Sequence, residues 1–265
     1  MHLWHLTSLD APTVAVVWTL AFAWTQQVRL PMWLVTSLAL AAWSVYIGDR
    51  LLDARRANTP LRARHHFHWR HRRLFVPAAL TAALVAILLV VRSMPFAARE
   101  RNSVLAAAAL AYFTSVHNPW NPSTNGKRTR IPKELLVGVL FTLASAIPTL
   151  TRTSGFRLDL LLEILCFVLL AWLNCYAIEF WESSPVAGAR TVFLYAMTLA
   201  GSTLAAALVE TAAHHSRPAA ILGAASASAL LLAMLDRHRR SLSPTTLRAA
   251  ADIALLTPVA LLVIR

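Results

Sequence analysis

Two pairs of acidic residues, each at the end of an apolar segment, are the residues of this sequence best suited to chemistry. Asp49 and Asp53 are spaced i, i+4, and Glu179 and Glu182 are spaced i, i+3. Each pair therefore shares one face if its segment is helical, and Asn174 precedes the second pair on a broadly similar face. Oxygen ligands from two helices suit Mg²⁺, which usually shares its shell with substrate phosphates. The alternative is that these acids simply pair with the many arginines.

The composition is that of an integral membrane protein. Of the 265 residues, 57% are apolar and only 14% are charged, and the mean hydropathy is +0.56. A soluble domain of this length would carry about 25% charged residues. No stretch between the apolar runs is long enough to hold a separate core, so we expect a single membrane domain over residues 1–265.

Nine apolar segments approach the length of about 20 residues that a spanning helix needs. They cover residues 11–28, 30–48, 74–91, 103–117, 134–150, 158–181, 188–209, 217–235 and 246–264. The fourth and ninth are short or polar for lipid-facing helices, so we expect them to be buried among the others. The pattern predicts an all-α bundle of about nine transmembrane helices.

The basic residues predict how the chain is oriented. The net charge of +13 is confined to the loops, and most of the Lys and Arg residues follow the second, fourth, sixth and eighth segments. Because basic loops remain in the cytoplasm, we expect a cytoplasmic N-terminus and an outer C-terminus, most simply in the plasma membrane. Positive loops beside a bilayer indicate anionic lipid headgroups rather than nucleic acid as partners.

The order and placing of the polar residues resemble the UbiA superfamily of intramembrane prenyltransferases. Those proteins are typically nine-helix bundles with two Asp-rich motifs, the first reading Asn-Asp-x-x-Asp-x-x-x-Asp after the second helix. Asp49-Arg50-Leu-Leu-Asp53 matches the final Asp-x-x-x-Asp, including the Arg, whereas Val45 and Tyr46 replace the opening Asn and Asp.

Two further motifs are similar to those of the family. Lys127-Arg128, followed by Pro132 and Gly138, is similar to the family's entrance to its fifth helix. The stretch from Asn174 to Glu182 looks like a diluted second motif with Glu in place of Asp.

The resemblance implies a transferase that moves an isoprenoid from a prenyl diphosphate to a lipophilic acceptor. It implies catalytic carboxylates at Asp49 and Asp53, which would bind Mg²⁺ together with Glu179 and Glu182. The residues implied to contact the diphosphate are Arg50, Lys127, Arg128, Lys133 and Asn174. The alternative is a non-catalytic relative that binds a lipid or isoprenoid, or serves as a structural membrane subunit, because Val45 and Tyr46 replace two polar residues.

A segment rich in histidine and arginine, residues 62–73, allows three interpretations. His68 and His71, spaced i, i+3, could belong to a metal site. A basic interfacial helix anchored by Phe67 and Trp69 is the commoner use of such sequence. The segment could also close over a bound diphosphate with its arginines.

Overall fold

All the regular structure of the described residues is helical. The computed structural model describes residues 2–56, 63–96, 133–155, 157–183 and 190–263, together with 99, 103–104, 107 and 111. The predicted all-α class is thereby confirmed for this part of the chain. The helices are α1 (His2–Leu6), α2 (Asp10–Thr25), α3 (Met32–Arg56), α4 (Ala63–Arg70), α5 (Arg72–Ser93), α6 (Lys133–Leu150), α7 (Leu158–Ser183), α8 (Thr191–Ala212), α9 (Ser216–His238), α10 (Pro244–Ala254) and α11 (Val259–Val263). A 3₁₀ turn over Arg239–Ser241 follows α9.

Six of these helices are long and apolar enough to cross a membrane: α3, α5, α6, α7, α8 and α9. They correspond to the second, third, fifth, sixth, seventh and eighth apolar segments of the sequence. Exposed leucines such as Leu80 and Leu84 on α5, each 66% exposed, give that helix an apolar outer surface suited to lipid. The chain is an integral membrane protein by the length and composition of its helices.

The other three apolar segments do not form helices of that length among the described residues. Helix α2 has 16 residues, so it is about 24 Å long and shorter than a hydrocarbon core of about 30 Å. The ninth segment is broken between Ala254 and Val259, because Pro258 cannot continue a helix. The fourth segment, 103–117, falls almost entirely outside the described residues. The number nine therefore stays a prediction.

The chain divides into two compact units, and each is described by itself. Unit 1 comprises Met1–Thr13 and Pro31–Ile131, and unit 2 comprises Val14–Leu30 and Pro132–Arg265. The expectation of one membrane domain stays a prediction.

Hydrogen bonds attach the N-terminal residues of unit 1 to each other and to α3. The His5 Nδ1 donates to Asp10 Oδ2 at 2.8 Å, and both side chains are buried. The Trp43 indole donates to the Thr7 carbonyl at 3.0 Å. A buried carboxylate needs such a partner, and these contacts hold α1 beside α3, the helix that carries Asp49 and Asp53.

The core of unit 2 is built around α7 and the part of α2 that begins at Val14. The rings of Trp18 and Phe167 stack with centroids 4.0 Å apart, and Phe22 meets Phe167 edge-on. The Trp18 indole also donates to the Leu255 carbonyl at 2.9 Å. That bond satisfies a carbonyl at the break in the ninth segment, where the helical ladder ends.

Helices α6 and α7 approach closely at Gly138. A Cβ added at Gly138 would lie 2.9 Å from the backbone nitrogen of Trp172 and 3.2 Å from its Cα. Real Cβ atoms do not come that close to a backbone, so any side chain at Gly138 forces the two helices apart. Small residues at such crossings are the usual means of packing membrane helices closely.

We predict that Gly138→Ala lowers the free energy of unfolding by about 1–3 kcal/mol, because overpacking displaces the α7 backbone. The measurement is reversible unfolding of the purified protein in mixed micelles. Gly201→Ala is the matched control, since nothing lies within 4 Å of a Cβ at that helical position. The control should be neutral or stabilising by about 0.5–1 kcal/mol. Equal stability of the two variants would contradict the close approach.

Candidate functional site

The first acidic pair lies in the last two turns of α3. The Asp49 side chain is 34% exposed and accepts a hydrogen bond at 3.1 Å from Arg50 Nη1. Asp53, one turn further on, is exposed. The i, i+4 spacing on a continuous helix places both carboxylates on one face, as the sequence predicted.

Arg50 is the most buried member of this group. Its side chain is only 7% exposed, and its guanidinium lies 4.8 Å from the centre of the Tyr46 ring. Tyr46 therefore gives Arg50 a cation–π contact at a position where the UbiA motif has an acid. The Arg50 Nε is buried and has no hydrogen-bond partner among the described residues. A buried guanidinium donor of this kind is suited to an oxygen of a phosphate.

The second group of predicted residues lies on α7 and is joined to α10. Asn174 Nδ2 donates to Asp252 Oδ1 at 3.1 Å. Arg248 Nη1 donates to Glu182 Oε1 at 2.7 Å, and both side chains are about 15% exposed. On α7, Asn174 precedes Glu182, whereas on α10 the partner of Asn174 follows the partner of Glu182. Helices α7 and α10 are therefore antiparallel at these contacts.

Sequence analysis did not identify Arg248 and Asp252 as partners of this group. Their i, i+4 spacing was the available signal, since two opposite charges one turn apart in an apolar segment indicate a polar face. The ninth segment was instead interpreted as a spanning helix. In the structure, α10 has 11 residues and turns that polar face toward α7.

A further polar cluster surrounds the end of α7, again within unit 2. Asp236 on α9 accepts from the Trp181 indole at 2.8 Å and from Arg239 Nη1 at 3.0 Å. The Arg239 guanidinium also lies 5.3 Å from the centre of the Phe180 ring. Glu179, the remaining predicted metal ligand, is half-buried and directly precedes Phe180 and Trp181 on α7. None of Trp181, Asp236 and Arg239 was singled out from the sequence.

The predicted basic residues before α6 are described only in part. Lys133 is the first residue of α6, is 64% exposed and has its Nζ 3.8 Å from Glu134 Oε1. Lys127 and Arg128 lie outside the described residues.

A buried acid near the start of α7 has a partner from α2. Glu163 is 1% exposed, and its Oε2 accepts from Thr25 Oγ1 at 2.8 Å. One turn earlier, Asp159 Oδ2 accepts from Gln26 Nε2 at 3.1 Å. These bonds join the two helices, since buried carboxyl groups need partners inside the protein.

The segment rich in histidine and arginine is helical where it is described, as α4 and the start of α5. His68 is fully buried, lies 3.4 Å from Ser8 Oγ through its Nε2 and contacts the Phe75 ring at 4.5 Å between centroids. His71 Nδ1 donates to the Phe67 carbonyl at 2.9 Å. The two histidines therefore have different hydrogen-bond partners, which accords with a packed helix.

The Glu182–Arg248 ion pair predicts a measurable coupling. In a double-mutant cycle of Glu182→Gln and Arg248→Gln, we expect a coupling of about 1–2 kcal/mol in the free energy of unfolding, because the pair is mostly buried. The Lys133–Glu134 pair is the control, and its exposed lysine should limit the coupling to below about 0.5 kcal/mol. Equal couplings would show that the pair does not join α7 to α10.

The predicted residues thus form two local groups, one in each unit. In unit 1, Asp49, Asp53 and Arg50 provide two carboxylates and a buried guanidinium. In unit 2, Asn174 and Glu182 are bonded to α10. In comparisons with protein-family models, curated proteins and solved structures, none matched the chain.

Proposed function

We propose that this chain is a UbiA-like intramembrane prenyltransferase of nine spanning helices that transfers an isoprenoid from a prenyl diphosphate to a lipophilic acceptor. The observation that carries the proposal is the end of α3, where Asp49 and Asp53 share a face beside the buried Arg50 Nε. Acids at the end of a candidate spanning helix are costly and indicate a functional site. A diphosphate would supply an acceptor for the Arg50 Nε–H, and its cation would supply positive charge for the two carboxylates.

The donor set fits Mg²⁺. Mg²⁺ usually takes one or two carboxylates from the protein, keeps waters and completes its shell with substrate phosphates. Asp49 and Asp53 would hold it, with Glu179 and Glu182 as the further ligands that the resemblance implies. When bound, the ion would supply charge neutralisation for the leaving diphosphate.

The chain's own residues would bind and orient the substrate. Arg50 would donate its Nε–H to a phosphate oxygen while keeping its contact with Tyr46, and Lys127, Arg128, Lys133 and Asn174 would contact the rest of the diphosphate. The allylic carbon–oxygen bond then breaks, and the diphosphate leaves with the electron pair. The acceptor's nucleophilic atom forms a bond to the allylic carbon, and its proton passes to the released diphosphate. Apolar helices would exclude water, which would otherwise take the acceptor's place.

The orientation is part of the same proposal. Basic loops after the even-numbered segments favour a cytoplasmic N-terminus and an outer C-terminus in the plasma membrane. The residues proposed to meet the diphosphate then lie on the cytoplasmic side.

A second candidate is a non-catalytic relative that binds a lipid or serves as a structural subunit. It is favoured by the contacts of Asn174 with Asp252 and of Glu182 with Arg248, because these already engage two groups of the second motif. Tyr46 against Arg50 favours it also, since an acid of the first motif is replaced.

We predict that Asp53→Asn lowers the rate of prenyl transfer at least about a hundredfold, because one charged group at the developing charge is lost. The measurement is incorporation of labelled geranylgeranyl diphosphate into the lipids of a membrane extract, with Mg²⁺ present. Arg55→Gln changes another exposed residue at the same end of α3 and should leave the rate unchanged. Undiminished transfer by Asp53→Asn would refute the assigned role.

Ligand stabilisation distinguishes the two candidates. For the enzyme, a non-hydrolysable analogue of geranylgeranyl diphosphate at about 100 times its Kd should stabilise the protein by about 2.7 kcal/mol. This stabilisation should need Mg²⁺ and disappear in Asp53→Asn. Stabilisation by neutral isoprenoid alone, independent of Mg²⁺, would support the non-catalytic candidate. Thermal unfolding in neutral detergent measures the stabilisation by the diphosphate analogue and by the neutral isoprenoid.

A further inference from the structure

A cleft in unit 2, which the prediction from sequence did not include, lies where α7, the 3₁₀ turn and α10 meet. Its volume is about 160 Å³, and three arginines, Arg239, Arg240 and Arg248, line it together with Glu182. Arg248 is paired with Glu182 and Arg239 with Asp236, so the charge of Arg240 gives the cleft an excess of positive charge.

The three arginines are not equivalent. Arg248 is bonded to Glu182, and Arg239 is bonded to Asp236, so the positions of both guanidinium groups are fixed by the protein. Arg240 is exposed and forms no hydrogen bond or ion pair with another described residue. It therefore offers its donors to a ligand, beside two cations that are already oriented. Fixed guanidinium groups are well suited to the oxygens of a phosphate.

The rest of the lining is mainly apolar. It includes Ile178, Leu242, Pro244 and Leu247. Sites for whole drug-sized ligands measure about 300–1,000 Å³, so this cleft suits a headgroup and its first carbons rather than an entire lipid. The combination of arginines and apolar side chains in one lining matches an amphiphile.

The depth of the cleft agrees with that ligand. The candidate spans of α7 and α9 end at Glu182 and Ser241, next to the residues that line the cleft. The ends of spanning helices lie at the boundary between hydrocarbon and water, where the phosphates of lipids are found.

We propose that this cleft binds the phosphate group of an amphiphile, with Arg240 as the principal free donor and Arg239 and Arg248 as fixed neighbours. The amphiphile is either a membrane phospholipid or an isoprenoid phosphate, which share the same recognised chemistry. The proposal does not rest on prenyl transfer, although Glu182 lines the cleft, because the phosphate is bound by Arg239, Arg240 and Arg248, none of which has a role in the proposed reaction.

The test is calorimetric titration of the full chain in neutral detergent with dihexanoyl phosphatidic acid and, separately, geranyl diphosphate. Arg240→Gln should raise the Kd of the bound amphiphile about tenfold, because a charge-assisted hydrogen bond is lost. Arg237→Gln is the matched control: it removes the same charge from an exposed position three residues earlier that does not line the cleft. The control should change the Kd less than about twofold, a limit set by screening of exposed charges.

The outcomes separate cleanly. Tighter binding of phosphatidic acid identifies a phospholipid as the source, and tighter binding of geranyl diphosphate identifies an isoprenoid. Equal effects of Arg240→Gln and Arg237→Gln overturn the proposal, since they would reflect overall charge alone. The proposal is also overturned if dihexanoyl glycerol binds as tightly as phosphatidic acid, or if inorganic phosphate binds as tightly as both amphiphiles. It is overturned as well if neither amphiphile binds.

Discussion

The burial of α7 within unit 2 is the constraint on which the arrangement of polar groups in that unit depends. Phe167, Leu170 and Leu173 on this helix are fully buried, so polar side chains along it have little access to solvent. Each must find a partner inside the protein or lose the free energy of its hydrogen bonds. Glu163 obtains one from α2, Asn174 and Glu182 obtain theirs from α10, and Trp181 obtains one from α9. The helix is thereby linked at both ends to its neighbours.

Hydropathy was sufficient to predict the six long helices, because an apolar run of about 20 residues has few other stable uses. It overestimated α2, which ends at Thr25 rather than at residue 28, and the ninth segment, which is broken before Pro258. Spacing was sufficient to place Asp49 and Asp53 on one face. Partners were harder to foresee, since the contact between Glu182 and Arg248 joins residues 66 positions apart. Nothing in the local sequence of either residue identifies the other.

Tyr46 shows how one substitution changes the meaning of a motif. Where the UbiA pattern has an acid, the ring lies against Arg50, and Arg50 in turn is paired with Asp49. A cation–π contact leaves the guanidinium charge intact, whereas a second acid would have neutralised it. The end of α3 therefore combines two carboxylates with a cation that retains donor capacity, an arrangement that differs from a purely acidic metal site.

The shortness of α10 has a consequence for how the protein is made. An 11-residue helix that carries Arg248 and Asp252 cannot enter a bilayer by itself as a spanning segment. Helix α10 can pack against α7 only after α7 is in place, so this packing is a late event in biogenesis. Until then, Asn174 is without Asp252 and Glu182 is without Arg248. A nascent chain arrested before residue 244 would therefore display Asn174, about two turns inside the end of the candidate span, without that partner, which is the kind of feature that cellular surveillance of membrane proteins can detect.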